Sequence, residues 1–560
     1  MKAQVTQTGS VFDYETSKNI IQDLFEVKHE TYFLDLILSG IGGWVIFLTA
    51  LHFSWGSSKI LMLLISALLF YRGLTLIHPI IHLNSTKSGK IRLLHYLLIG
   101  CPFLIPLFFY ENSHRVHHQR NTYGTANDGE YIPFAHKHPF RIIVFILSSL
   151  LFPFILTLRY GLVGPLSFVR SSWRTTVETR FSSAAMNPSF RIDRPTGKTR
   201  REWLVQELGC TSIVLLSVFL LILHVISPGF FLQYFLIASG MALLNTVQGL
   251  TLHRYQSDGT STDTNGIILD SYNTPGRFPL LTELWAPVGQ RFHALHHLFP
   301  LLPYHNMATA HRRLMKLLPA NSVYHQTENG SLFSALSALF ISTLNRMRMG
   351  LAYVAIAKDF NRTDKIFQLT DLGMNSPNKA LVQVLLDRAF ADEGFASLYN
   401  EEFHPELPQT DQLLLYPSAS LGYELGCHLK THHLKSDFYP RIPMKDARSY
   451  IGLRMRQTHD IWHVLLGYGI TTHDEIAIQA FALGQLKTGL PAVLISAGIL
   501  NILRDSPKEI EKLMDSILFE FKRGKEAKFL LGIPWERLLN EPIVELRNKV
   551  GLTHNAYPCI

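Results

Sequence analysis

The stretch "ILMLLISALLFYRGLTLIHPIIH", residues 60–82, runs an apolar segment straight into two histidines, and the two halves together decide the fold. Residues 60–77 are dominated by Leu, Ile, Phe and Ala. As a helix rising 1.5 Å per residue, a run of this length nears the roughly 30 Å of a bilayer's hydrocarbon core. Lipid offers no hydrogen-bond partners, so a spanning segment must satisfy its own backbone, which a helix does. His78 and His82 then stand four residues apart, on one helix face, where the chain leaves the membrane. Upstream, residues 33–53 form a second apolar run, and the break "SWGSSK" (54–59) turns the pair into a helical hairpin.

The rest of the chain agrees with membrane insertion. It has 560 residues, 47% of them hydrophobic, with a mean hydropathy of +0.13, high for a soluble protein. The formal charge of +9 would suit nucleic acid, but the basic residues concentrate beside apolar runs and no nucleic-acid motif accompanies them. No nucleic-acid partner is expected. Cys101, Cys210, Cys427 and Cys559 lie far apart, which argues against a disulfide framework or a thiolate metal site. The first thirty residues are polar and of mixed charge, unlike a cleavable signal peptide.

Further apolar runs occupy residues 93–110, 142–162 and 209–250, the last broken by "SPG" at 227–229. The loop 168–203 carries Arg170, Arg174, Arg180, Arg191, Arg194, Lys198, Arg200 and Arg201, so it belongs on the cytoplasmic side with Lys87, Lys90 and Arg92. Residues 93–110 and 142–162 should then make no net crossing; Pro102, Pro106 and Pro153 suit interfacial or re-entrant helices. The result is an all-α, four-span integral-membrane domain, with its histidines and both termini cytoplasmic. The expected divisions are a domain over 1–320, a linker with an amphipathic segment over 321–354, and an all-α domain over 355–560. In the last, "LPAVLISAGILNIL" (490–503) is too short to span comfortably and reads as a core helix or a membrane-facing groove.

Three boxes gather histidines beside the apolar runs: "HPIIH" (His78, His82), "HRVHH" (His114, His117, His118) and "HALHH" (His293, His296, His297). Each alone can be a polar surface turn. Eight in three boxes on one side of the membrane read as a shared metal site. Neutral imidazoles suit Zn, Cu, Fe or Ni, but zinc takes about four ligands. Eight imply two metals, and a pair of irons fits best. Glu111 with His114 and Glu401 with His404 have the Glu-x-x-His spacing of soluble di-iron bundles, but fall in different domains and read as chance.

This box pattern over residues 30–320, with "LFPLLPYHN" (298–306) downstream, resembles the membrane fatty acid desaturase and hydroxylase superfamily. The resemblance implies two irons that activate O2 and attack an unactivated acyl C–H bond, giving a double bond or an alcohol. It also implies a further ligand near the end of the fourth span, for which His253 in "TLHRY" is the candidate. Asp128, Glu130 and Asn306 are candidates to orient ligand imidazoles. No haem-binding "HPGG" occurs, so electrons are expected from a separate donor of ferredoxin or cytochrome b5 type.

A second constellation lies in "THDIWHVLLGYGITTHDE" (458–475), where His459, Asp460 and His463 share a helical turn and Glu475 follows twelve residues after His463. Two histidines at i, i+4 with a distant carboxylate form a zinc-competent set, although surface helices often carry His and Asp. Together with "QLKTGLP" (485–491) and "PWERLLNEPIVELR" (534–547), it is similar to coenzyme Q biosynthesis protein four over about residues 355–550. That resemblance implies a helical domain binding a metal, expected to be zinc, and a lipid or isoprenoid tail.

The leading expectation is therefore a membrane-bound, O2-dependent fatty acyl desaturase fused to a metal- and lipid-binding domain. The alternative is a di-iron hydroxylase acting on a quinone or polyprenyl lipid. A histidine relay in a metal transporter would require polar residues within the spans, which are scarce.

Overall fold

A computed structural model describes residues 12–84, 88–374, 379–440 and 442–552; Lys87 and Cys559 lie outside them. The chain divides into two compact units between Leu344 and Asn345. Among the described residues there is no β-strand, only isolated bridges such as His253 with Ser271, and the fold is all-α.

In the N-terminal unit the principal helices are α1 (His29–Leu51), α2 (Ser57–His82), α3 (Leu107–His117), α4 (Pro139–Val169), α5 (Gly197–Ile222), α6 (Pro228–Gly249) and α7 (His293–Leu298). Five of them, α1, α2, α4, α5 and α6, are long and apolar enough to cross a membrane. Their outer faces expose large apolar side chains, such as Leu34, Leu38 and Val45 on α1 and Leu215, Leu216 and Phe219 on α5. Water would penalise such a surface and lipid would not, so this is a multi-pass integral membrane protein.

Helix α4 is not a straight rod. Its path is interrupted by a 3-10 turn at Ser149–Leu151, by Pro153 and by a π turn at Arg159–Val163. The middle lies on α6, where Ser239 Oγ donates to Leu150 O at 2.9 Å and Phe154 stacks on Phe235 at 4.3 Å. Beyond it the chain comes back to a buried charged cluster. Arg159 donates to Phe181 O at 2.9 Å and to Glu207 at 2.8 Å, and Glu207 is shared with Arg174. Every charge there is paired, which is the condition for burying one. The run expected over 93–110 is likewise broken, into Gly89–His95, a π turn at Tyr96–Gly100 and then α3.

Helix α8 (Leu332–Lys358) runs through the division between the units. The C-terminal unit is built around α9 (Leu421–Thr431), α10 (Ala447–Leu466), α11 (Thr472–Leu486), α12 (Gly489–Asp505) and α13 (Ile510–Glu526). Leu421, Leu425, Leu465, Phe481 and Trp535 are fully buried in its main core. Helices α11 and α13 pack backbone to backbone, because a Cβ at Gly484 would lie 2.5 Å from Phe521 O and one at Gly524 2.3 Å from Phe481 O. The apolar run 490–503 forms α12, a core helix that buries Leu494, Ala497 and Ile502 and exposes Leu500 and Leu503.

Candidate metal centres

The histidines reach one place from helix ends. His78 and His82 close α2, His114 and His117 close α3 with His118 next in sequence, and His293, His296 and His297 lie on α7. His253 stands four residues past the end of α6, held by its bridge to Ser271. Helix ends fit the task, because the span delivers the side chain to the membrane edge while the backbone stays paired.

Two groups result. His78, His82, His114, His118 and His296 present ring nitrogens within 4.8 Å of one another, and so do His117, His253, His293 and His297. In the first, His114 Nε2 lies 3.1 Å from His82 Nε2 and 3.0 Å from His118 Nε2, which lies 3.0 Å from His296 Nε2. In the second, His253 Nε2 lies 3.3 Å from His117 Nε2 and 2.9 Å from His293 Nε2. Rings of the two groups adjoin, His118 and His297 having centroids 4.7 Å apart.

These distances fit metal ions. Bonds of about 2.0–2.1 Å at angles between octahedral and tetrahedral place neighbouring ligand atoms about 2.9–3.4 Å apart. The outer nitrogens settle the tautomer. His114 Nδ1 faces Glu130 at 2.8 Å, and His117 Nδ1 faces Asp128 at 2.9 Å. His253 Nδ1 faces Tyr123 Oη at 2.9 Å, and Tyr123 donates its own proton to Asp270 at 2.9 Å. In these three rings the Nδ1–H is used outward, and a bare Nε2 lone pair points inward. His78 Nε2 is buried with no protein partner. Such a group costs about 1–3 kcal/mol unless something binds it.

Electrostatics agree. Burial first, then the neighbouring imidazoles, hold His114, His118, His293, His296 and His297 well below the ordinary histidine range, so they are neutral donors. Burial and His117 do the same to His253. At His117 burial opposes protonation, but the charge and hydrogen bond of Asp128 raise it overall. Burial pushes Glu130 up to about 7 and Asp270 to about 6.

Asp128 and Glu130 therefore stand where the sequence suggested. Asn306 does not: its Nδ2 donates to Leu24 O at 2.7 Å, tying the N-terminal segment to the helix Tyr304–Leu317. Glu111 takes no part either, being paired with Arg92 and Arg115. Tyr110, Tyr123, Tyr131, Asp270 and Ser271 were not legible in the sequence, where nothing separates them from ordinary loop and helix residues. A cavity of about 440 Å³ touches both groups through His78, His117, His253 and His293, and is otherwise mostly apolar, with Leu74, Phe103, Phe152, Ile155 and Met241 in its wall.

In the C-terminal unit, His459, His463 and Glu475 form a third group. Helix α10 ends at Gly467, whose φ of +80° favours glycine and lets the chain turn sharply into α11, with Glu475 in its first turn. His463 Nε2 lies 3.4 Å from Glu475 Oε1 and His459 Nε2 3.8 Å from Glu475 Oε2. His463 Nδ1 donates to Gly469 O at 2.6 Å, and His459 Nδ1 faces Tyr439 Oη at 2.8 Å. Asp460 stands apart from this group, accepting from Tyr439 at 3.1 Å. Burial raises Glu475, but the hydrogen bond from His463 and the charges of both histidines bring it below the usual carboxylate range. Two imidazoles and a carboxylate suit one divalent ion with an open position.

Residues 32–329 match the fatty acid desaturase family and residues 398–556 match "Coenzyme Q (ubiquinone) biosynthesis protein Coq4". A ceramide hydroxylase of Caulobacter vibrioides is 35% identical over 322 residues, covering 58% of this chain and 91% of that protein. A mitochondrial ubiquinone biosynthesis protein COQ4 homolog of Paramecium tetraurelia is 28% identical over 150 residues, covering 26% of this chain and 70% of that protein. A solved structure of a ubiquinone-biosynthesis-type protein from Nostoc punctiforme shares 26% identity, covering 38% of this chain and 99% of that one, with a TM-score of 0.34. The chain belongs to the fatty acid desaturase family, as an oxidoreductase of the desaturase and hydroxylase superfamily whose histidine clusters fit a di-iron site, joined to a C-terminal Coq4 domain.

Proposed function

We propose that the N-terminal unit is an O2-dependent lipid hydroxylase with one iron held by His78, His82, His114, His118 and His296 and a second by His117, His253, His293 and His297. Bound iron would supply reductive activation of O2 and attack on an unactivated C–H bond. The balance is one C–H bond and O2, with two electrons and two protons, converted to an alcohol and water. The electrons come from a separate carrier of ferredoxin or cytochrome b5 type. The chain's own residues do the rest: Asp128, Glu130 and Tyr123 fix the ligand imidazoles, and the apolar wall holds a hydrocarbon chain and keeps water out. The carrying observation is that this cavity reaches both histidine groups at once. The ceramide hydroxylase relative favours hydroxylation of a ceramide-type lipid over desaturation, and the Coq4 domain keeps a quinone or polyprenyl substrate in view.

For the C-terminal unit, the reading is a divalent ion, zinc by its donor set, with a lipid or isoprenoid tail as ligand. The domain division 1–320, 321–354 and 355–560 belongs to the same reading. So does the four-span topology with cytoplasmic termini. Helices α4, α5 and α6 lie between His117 and His253, whose ring nitrogens are 3.3 Å apart, so an odd number of crossings between them is not available. The bent α4 is the one to leave out, and cysteine labelling from each side checks this. Function is tested by mass spectrometry of lipids from cells with and without the protein, paired with iron analysis of the purified chain. A lipid gaining one oxygen and about two irons per chain is expected. Loss of two hydrogens instead would make it a desaturase, and no lipid change would refute both.

A further inference from the structure

The wall of the cavity holds two buried amide side chains, each with one hydrogen-bonding atom that has no protein partner. Gln248 is 3% exposed and its Nε2 is unpartnered; Gln290 is 7% exposed and its Oε1 is unpartnered. Both line the cavity that reaches the histidines. Each sits next to a proposed iron ligand, Gln248 five residues before His253 and Gln290 three before His293, and those two histidines are 2.9 Å apart at Nε2. Some other polar groups on the wall are engaged: Ser148 and Ser149 donate to carbonyls of their own helix, and Glu130 holds Ser113 and His114.

The backbone goes out of its way to put Gln290 there. Val288 has φ +56° and Gly289 φ +74°. A β-branched residue in the left-handed region is a rare outlier that persists only where the surroundings enforce it, and such residues concentrate at functional sites. A buried donor and a buried acceptor left without a protein partner in an apolar wall are costly unless something bonds them.

We infer that Gln248 and Gln290 read the secondary amide of the substrate, Gln248 Nε2 donating to its carbonyl and Gln290 Oε1 accepting from its N–H. This rests on the reading of the N-terminal unit as a lipid oxygenase and names the substrate as an N-acyl lipid. Esters, thioesters and free carboxylates have no N–H, so each would leave Gln290 Oε1 unsatisfied. A site built to bond an N–H or O–H discriminates strongly against the analogue that lacks it.

The test compares binding of an N-acyl sphingoid lipid with its ester analogue, identical except for oxygen in place of N–H, to the purified full-length protein in detergent. Wild type should bind the amide at least about tenfold more tightly. Gln290→Leu should weaken the amide and spare or tighten the ester, so that the two bind within about threefold of each other. Gln290→Glu, which keeps the acceptor, should retain the preference. Gln248→Leu should weaken both lipids alike, because both carry the carbonyl. Unchanged iron content and melting temperature show that the variants are folded. Equal binding of the two lipids by wild type, or equal loss of both in Gln290→Leu, overturns the assignment. Cells that oxidise only ester lipids would overturn it while sparing the oxygenase reading, and cells that oxidise no lipid would sink the oxygenase reading whatever the binding shows.

Discussion

The two units gather metal-competent side chains on opposite plans. In the N-terminal unit nine imidazoles from four places in the sequence, spread over residues 78–297, converge behind a membrane edge. In the C-terminal unit two imidazoles and one carboxylate come from consecutive helices joined by the turn at Gly467. His114 keeps none of its side chain exposed, whereas Glu475 keeps 29%. The first plan yields a buried set of neutral donors whose geometry depends on the whole helical bundle. The second yields a local, charged, accessible set that one hairpin can form. Chemistry on an unactivated C–H bond calls for the first, since water must be excluded; holding one divalent ion needs only the second.

The sharpest way to break this contrast is His296→Ala. His296 Nε2 is 3.0 Å from His118 Nε2 and its ring centroid is 4.1 Å from that of His78, so its removal opens the first group. Lipid product should fall by more than about 100-fold, beyond the roughly 10–100-fold typical of losing an outer partner. Iron should drop by at least about one per chain. Iron analysis of wild type and variant, side by side, decides it, and equal iron would count against the ligand assignment.

Asp128→Asn should have the next largest effect. The carboxylate accepts from His117 Nδ1 and also from the backbone N–H groups of Gly124 and Glu130, so it fixes both a ring and the loop that carries it. Iron affinity of the second group should weaken about 10–100-fold. The first group should keep its metal. Stepwise chelation reads this directly as one labile iron and one tight one, and uniform loss of both would show that the groups are not independent.

What the sequence made legible follows from these plans. Histidine at i, i+3 and i+4 is a local pattern, so all three boxes and the set at His459, Asp460, His463 and Glu475 could be read from spacing, although only His459, His463 and Glu475 come together in the structure. Asp128 and Glu130 were readable because they lie in a polar loop close to a box. Tyr123, Asp270 and Gln290 were not, because their roles come from contacts across 130, 147 or more residues or from an unusual backbone turn, and neither leaves a local signature. The spans were legible from hydropathy, but the bend of α4 was suggested only by Pro153. Cys101 and Cys210 show the converse limit. Their sequence separation hides the fact that they are buried neighbours, a hydrogen bond from Cys210 lowering the Cys101 thiol.

His463→Ala tests whether the two plans are separable. The change removes one imidazole from the C-terminal group and touches no N-terminal histidine, so about two irons per chain should remain while the C-terminal ion is lost. Product in cells should fall only if the C-terminal unit supplies or modifies substrate. Iron content paired with lipid product, for His463→Ala and Glu475→Ala together, gives the answer. Loss of N-terminal iron in both, with the protein still folded, would show one interdependent unit.

The smallest effect is expected at Tyr439→Phe, and its size measures how well a local site tolerates the loss of its outer support. Tyr439 Oη accepts from His459 Nδ1 at 2.8 Å and donates to Asp460 Oδ1 at 3.1 Å, so it relays the carboxylate to the imidazole. Without the hydroxyl, Asp460 Oδ1 already lies 3.5 Å from His459 Nδ1 and can take the proton with a small rotation. Burial opposes a charge on His459, but Asp460 and Glu475 raise it overall, and both carboxylates survive the substitution. The ring should therefore keep its orientation, and metal affinity should fall only about threefold to tenfold, at or below the low end for outer partners. Competition with a metal-binding dye reads this range well. A loss beyond about 100-fold would mean that the Tyr439 oxygen itself contacts the ion, which would make the C-terminal group a less local construction than its sequence spacing implies.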